Sequence, residues 1–298
     1  MDLADLRIAL TVARAGTLSA AADQMGITQP TVSKAIARLE RQTKIRLFER
    51  HARGMRPTEI GSAFLSHAER LDLGAMDMYA ALRDLRQAKT GTLKFGIGQG
   101  VPDRYVTHIA KASAERGVCL GLTGGMTDSL QRAVLIGELE FALIGLSQPP
   151  TNGLHWVPLR DDPMQPVAPR STALGRRRTE LPWSELAAAS WIVPAPGTAS
   201  YSEFESNFRR HRLQAPQPLV SSQASNREVP LAIELGCVVL MTRSLAEEET
   251  VAQRFGQLKP EGGWRSQRKL VLVSRQGGYL SPAAKKAIET VQESISNA

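Results

Sequence analysis

Apolar and polar positions in the first sixty residues fall into three short helical periods. Leu3, Leu6, Leu10 and Ala13 recur at spacings of three and four, which predicts a first helix with one apolar face. After Gly16, with Thr17 or Ser19 placed to cap it, the alanine-rich run SAAADQM predicts a second helix ending at Gly26, slim enough for a neighbour to pack close. A third follows ITQP, with Thr28 as its cap and Pro30 in its first turn, and buries Val32, Ile36 and Leu39. Only Gly26-Ile27-Thr28 separates the second helix from the third, which is helix-turn-helix spacing. Gln29, Thr31, Ser33, Lys34, Ala37, Arg38 and Arg41 are left on the outer face of the third helix.

Next, IRLFER, HARGMR and PTEIG read as a short strand, a glycine-containing turn and a second short strand, a basic wing that completes a domain over residues 1–57. From 58 to 89 the pattern is helical, a rod of roughly 45 Å at the rise of an α-helix. Along it Phe64, Ala68, Leu71, Ala75, Met78, Leu82 and Leu85 alternate steps of four and three. A seam of that period predicts a partner helix, with Phe64, Leu71, Met78, Leu82 and Leu85 as its large members.

From Gly91 strands alternate with helices: LKFGIG, a helix near Tyr105 to Arg116, VCLGL, a helix over Ser129 to Ile136, and FALIGL. A second series runs through SWIVPA, a helix near Tyr201 to Arg212, PLVSS, a helix near Glu228 to Leu235, and CVVLM. Alternation of this kind predicts an α/β architecture with mostly parallel sheets in two lobes. KLVLVSR and the closing SPAAKKAIETVQESI fit the first lobe, giving lobe I over 90–162 and 268–298 and lobe II over 163–267. Crossovers near Asp161 to Val167 and Gly262 to Lys269 leave a cleft between them.

Charge changes the picture most at the N-terminus. Between Gly26 and Arg56 eight basic residues face two acidic ones, a local excess of six out of a net +8 for all 298 residues. That density calls for a polyanion, and beside a helix-turn-helix the polyanion is double-stranded DNA. No run of about 18 apolar residues predicts a membrane span, and the N-terminus lacks a secretory pattern, so the expected location is cytoplasmic. Cys119 and Cys237 lie in apolar runs and read as buried small hydrophobes; no His or Cys stands at ligand spacing beside them, so neither metal nor cofactor is expected. The turn Gly96-Ile97-Gly98-Gln99-Gly100 lacks the third glycine spacing and the acidic residue of a dinucleotide site. Arg176 to Arg178 reads as a solvated loop and His51 as an exposed wing residue.

At TLSAAADQMGITQPTVSKAIARLERQTKIRLFER, followed by RGMRPTEIG, the sequence closely resembles the LysR-type transcriptional regulators. The resemblance implies a winged helix-turn-helix, a long dimerising linker helix, and a two-lobed α/β effector domain similar to periplasmic binding proteins. The family's DNA-reading positions fall on Thr28, Gln29, Pro30, Thr31, Ser33 and Lys34, and its wing contacts on Arg50 and Arg53. Arg38 joins them from its place on the outer face. The chemistry agrees, since Gln pairs with adenine edges while Arg, Lys and short hydroxyls hold phosphates. The chain departs from the family at Gln99-Gly100-Val101, where Ser or Thr is usual, and at Glu140, where Asp is usual.

These readings predict a regulator, not an enzyme, because no His, Cys or carboxylate constellation suits catalysis. Its expected partners are promoter DNA, a small-molecule effector, a second copy through the linker helix, and RNA polymerase as a candidate contact; the resemblance further implies a homotetramer formed through the effector domains. The effector, expected to be a small organic acid, is assigned to Gly100, Val101, Thr127 and Ser147 from lobe I and Thr198, Ser200, Tyr201 and Ser222 from lobe II.

Overall fold

In the computed structural model, residues 1–51, 54–86, 91–222 and 227–296 are described, and they divide into two compact units, Met1–Arg83 and Asp84–Ala298. The first opens with α1 (Leu3–Ala15), α2 (Leu18–Met25) and α3 (Gln29–Thr43). Thr17 caps α2 by accepting from the Ala20 amide at 3.1 Å; Thr28 precedes α3 without a side-chain cap bond. Leu6, Leu10, Val12, Ala21, Val32, Ile36 and Leu39 close one core between the three helices.

Two strands follow, β1 (Phe48–His51) and β2 (Gly54–Pro57), antiparallel with Arg50 opposite Met55. The second wing strand was expected at PTEIG, and it lies one segment earlier. Pro57 ends the pairing, and the Thr58 hydroxyl accepts from the Gly61 amide at 2.9 Å, starting α4 (Glu59–Arg86) there instead. The Met55 amide donates to the Gly16 carbonyl at 2.7 Å, so the wing is anchored on the α1–α2 turn.

The second unit is built on two five-stranded sheets. The first lobe carries β3 (Thr92–Gly98), α5 (Asp103–Ala114), β4 (Cys119–Gly125), α6 (Thr127–Leu135), β5 (Phe141–Leu146) and β6 (Leu154–Asp161). The second begins at β7 (Met164–Pro169) and continues through α7 (Ala173–Arg176), α8 (Trp183–Ala188), β8 (Trp191–Pro194), α9 (Ala199–Arg210), β9 (Val220–Ser222) and α10 (Glu228–Leu235). Then come β10 (Val238–Thr242), α11 (Arg243–Ala246), α12 (Glu249–Ala252) and β11 (Phe255–Gln257), before β12 (Lys269–Arg275) and α13 (Pro282–Ser296) return to the first sheet.

Strand orders are β4-β3-β5-β12-β6 and β11-β7-β10-β8-β9. Both sheets are mixed, which corrects the mostly parallel expectation: β12 runs antiparallel to β5 and β6, and β7 antiparallel to β10 and β11. The antiparallel strands β6 and β7 were not read because Pro158, Pro166 and Pro169 interrupt them. At the sheet edge, β6 can spare an amide; β7 lies inside its sheet, fully buried, with Pro166 opposite Leu240. The VCLGL run forms the edge strand β4, so Cys119 is exposed and only Cys237 is buried.

Candidate functional site

Two regions collect the residues singled out from the sequence. The first is the start of α3, where Thr28, Gln29, Pro30, Thr31 and Lys34 are exposed and Ser33 is half-buried. The hydroxyls of Thr28 and Thr31 lie 2.8 Å apart, a polar pair on the first turn. On the wing Arg50 is exposed; Arg53 lies outside the described residues. His51, exposed as expected, meets Glu49 at 3.0 Å.

Arg38 is differently engaged. Its Nε donates to Asp5 Oδ2 at 2.6 Å and its Nη2 to Asp5 Oδ1, a two-point fork onto a carboxylate of α1 that is almost fully buried. The guanidinium hydrogen bonds hold the Asp5 carboxyl below its ordinary value. The fork therefore fixes α3 on α1, and α3 is the helix that carries the reading turn.

The α4 stripe splits. Ala68 is buried and Phe64 packs on the helix-turn-helix core with Leu65, so the first turns of the seam face their own domain. Close contact dictates this, because Gly61 sits against the Leu47 carbonyl and ties α4 to the strand entry. Beyond that point Leu71, Met78, Leu82 and Leu85 are 55%, 53%, 50% and 80% exposed, joined by Met76 and Tyr79.

The second region is a cavity of about 1170 Å³ between the two sheets of the second unit. Of the eight residues expected there, Gly100, Thr127, Ser147, Thr198, Ser200 and Ser222 line it. Val101 and Tyr201 do not: Val101 is buried in the first lobe's core, and Tyr201 packs beside Phe204 in the second's. The reason is that α9 starts at Ala199, so Tyr201 falls inside the helix with its amide on the Thr198 hydroxyl at 3.2 Å. First turns of α6 and α9 border the cavity through Thr127, Asp128, Thr198, Ala199 and Ser200.

Sequence reading missed the charged wall. Arg268, 6% exposed, donates from Nη1 to the Asp162 carboxylate and, at 3.1 Å, to the Asp162 carbonyl, while Nη2 reaches the Gln99 carbonyl at 3.2 Å. Asp162 Oδ1 accepts the Ser244 amide at 2.7 Å. Both crossovers are thus stapled by one buried ion pair with an arm into each lobe. Gly145 makes room for it, since a Cβ there would lie 2.1 Å from Arg268 Nε. Glu203 of α9 accepts from Ser147 Oγ at 2.9 Å across the cavity and from Ser266 Oγ at 2.7 Å. Asp162 is half of an exposed-looking acidic pair and Glu203 has no periodic signature, so nothing in the sequence marks either as buried in a site.

Comparison with known proteins agrees with this geometry. Residues 3–62 match the family model for the bacterial regulatory helix-turn-helix protein of the lysR family, and residues 86–296 match the LysR substrate binding domain. The chain belongs to the LysR family: it is a DNA-binding transcriptional regulator with an effector-binding domain, and not an enzyme. It is 27% identical to the HTH-type transcriptional regulator CbbR of Rhodospirillum rubrum, over 96% of this chain and 94% of that one. With the SDS degradation transcriptional activation protein of a Pseudomonas species it shares 29% identity over 95% and 93% of the two chains. Among solved structures, ArgP from Mycobacterium tuberculosis has the same fold at a TM-score of 0.66 and 18% identity, covering 99% of this chain and 98% of that one. Among the described residues no helix is long and apolar enough to cross a membrane.

Proposed function

We propose that this regulator switches a promoter in response to a small organic acid held in the cavity between lobe I (90–162 and 268–298) and lobe II (163–267). The cavity carries the reading: it is lined from both lobes, and the first turns of two helices border it where amide hydrogens favour an anion. Hydrogen bonds already cross it, so a ligand that replaces or adds one binds one lobe arrangement better than another. That difference is what regulation needs, with a coupling of about 1–3 kcal/mol.

Operator reading belongs to the first turn of α3 with Arg50 and Arg53 on the wing. One such turn reads few base pairs, and a two-fold pair of chains doubles the site. Its seam is the exposed stripe of α4 from Leu71 to Leu85, within a linker over 58–89. A homotetramer through the effector domains, contact with RNA polymerase, and a place in the cytoplasm complete the reading.

The test is thermal melting of the full chain with a panel of aliphatic and aromatic carboxylic acids, followed by footprinting on the DNA that flanks its gene. An acid that raises the melting point, shifts the footprint, and loses both effects when Thr127→Trp obstructs the α6 side of the cavity is the expected result. Stabilisation that survives Thr127→Trp would place the acid elsewhere.

A further inference from the structure

Glu203 stands in the wall of the cavity, yet it belongs to none of the ion pairs among the described residues. Its acceptors are filled by uncharged donors only. Oε1 takes Ser147 Oγ at 2.9 Å and the Gln267 amide at 3.4 Å, and Oε2 takes Ser266 Oγ at 2.7 Å. Of the three arginines lining the cavity, Arg268 is engaged by Asp162, while Arg210 and Arg265 are exposed and pair with no carboxylate there. A partly buried carboxylate that faces a ligand-sized space and is itself paired with no cation is a place where a cation is favoured.

Position along α9 adds the second half. Its first-turn residues Ala199 and Ser200 border the cavity, and Glu203 follows one helical turn on, about 5.4 Å along the axis. The same helix therefore offers amide hydrogens to an anion and a carboxylate to a cation.

We infer that the effector is a zwitterion of the amino-acid class, whose protonated amine is received by Glu203 in place of the Ser147 hydroxyl. This rests on the cavity being the effector site. Because Ser147 follows β5 in lobe I and Glu203 belongs to lobe II, the exchange releases a bond that ties the lobes together. Recognition of the amine and adjustment of the lobe angle are then one event.

The experiment titrates the full chain with the common amino acids, each beside its deaminated and 2-hydroxy isosteres, as L-phenylalanine beside 3-phenylpropionate and 3-phenyllactate. Intrinsic fluorescence reports binding, since Trp264 adjoins Arg265 in the cavity wall. At least one amino acid binds, and both its isosteres bind roughly tenfold or more weakly. Glu203→Gln abolishes that preference, Glu203→Asp keeps it, and circular dichroism shows both variants folded. If Glu203→Gln does not fold, retention of the preference in Glu203→Asp, and its loss in Glu203→Ala, carry the same information. Failure of every amino acid to bind, equal binding of an isostere, or a preference unchanged in Glu203→Gln overturns the inference. A preference that persists in Thr127→Trp fails differently, because it removes the cavity itself as the site.

Discussion

The hydroxyl of Thr242 donates to the carbonyl of Gly100 at 2.8 Å, joining the last residue of β10 in one lobe to the turn after β3 in the other. Gly100 has φ +71°, and a Cβ there would lie 2.7 Å from Thr242 Cγ2. Gly100→Ala is therefore expected to push the lobes apart at this point and to cost about 1–2 kcal/mol in backbone strain as well. Thr242→Val removes the bond without the wedge. Melting curves should show the larger loss for Gly100→Ala, and footprints of Gly100→Ala should differ from wild type without any effector. Identical footprints would mean that this contact does not set the lobe angle.

On the DNA face, Gln29→Ala should cost about 1–3 kcal/mol on the operator and little on random DNA, whereas Arg50→Ala should weaken both alike. Arg38→Ala should behave unlike either, since it strips a buried carboxylate of its fork and lowers the melting point of the N-terminal unit along with all DNA binding. Binding isotherms on both DNAs, read beside melting curves, separate the three. A melting point unchanged in Arg38→Ala would contradict the positioning role.

Because the α4 stripe is divided, its substitutions should divide too. Met78→Asp and Leu82→Asp place charge on the exposed portion, and light scattering should show the dimer lost with the monomer still folded. Ala68→Asp falls in the domain core and should unfold the N-terminal unit, by several kcal/mol for an unpaired buried charge. Retained dimer mass in both Met78→Asp and Leu82→Asp would rule out the stripe as the seam.

Two carboxylates give opposite pH signatures. Burial raises the Glu140 pKa above its ordinary 4.5, against the pull of the Ser281 amide at 2.8 Å. A group protonated more readily when folded favours the fold at low pH, so its contribution falls as pH rises above 4.5. Glu140→Gln should remove that decline and leave the variant the more stable form at neutral pH. The Asp5 pKa is lowered from 3.8 by the Arg38 hydrogen bonds, so its contribution is full above that value and is lost on acidification below it. Urea midpoints across the acid range for Glu140→Gln and Asp5→Asn test both signs.

Local rules determined much of this protein. Spacings of three and four, the cap at Thr17, Pro30 in the first turn of α3 and the Gly26 turn specify α1 to α3, because each depends on neighbours a few residues away, whereas the cap bond expected of Thr28 is not made. The basic excess near α3 and much of the alternation of strands and helices after Gly91 were equally legible, as were six of the eight residues assigned to the cavity. What only the tertiary structure decided involves partners far apart in the chain. Arg38 was read as a phosphate contact, and it meets Asp5, 33 residues earlier; Arg268 meets Asp162, 106 residues away; Glu203 meets Ser147 across 56. The proline-bearing strands β6 and β7 exist because β12 and β10 lie beside them, a pairing that local propensity opposes. A 3.5-residue period states that a face will be covered, but packing on Leu47 and its neighbours decided that the first turns of α4 are covered by their own domain. Burial of a charge depends on a partner supplied by the fold, and no pattern along one stretch of chain encodes it.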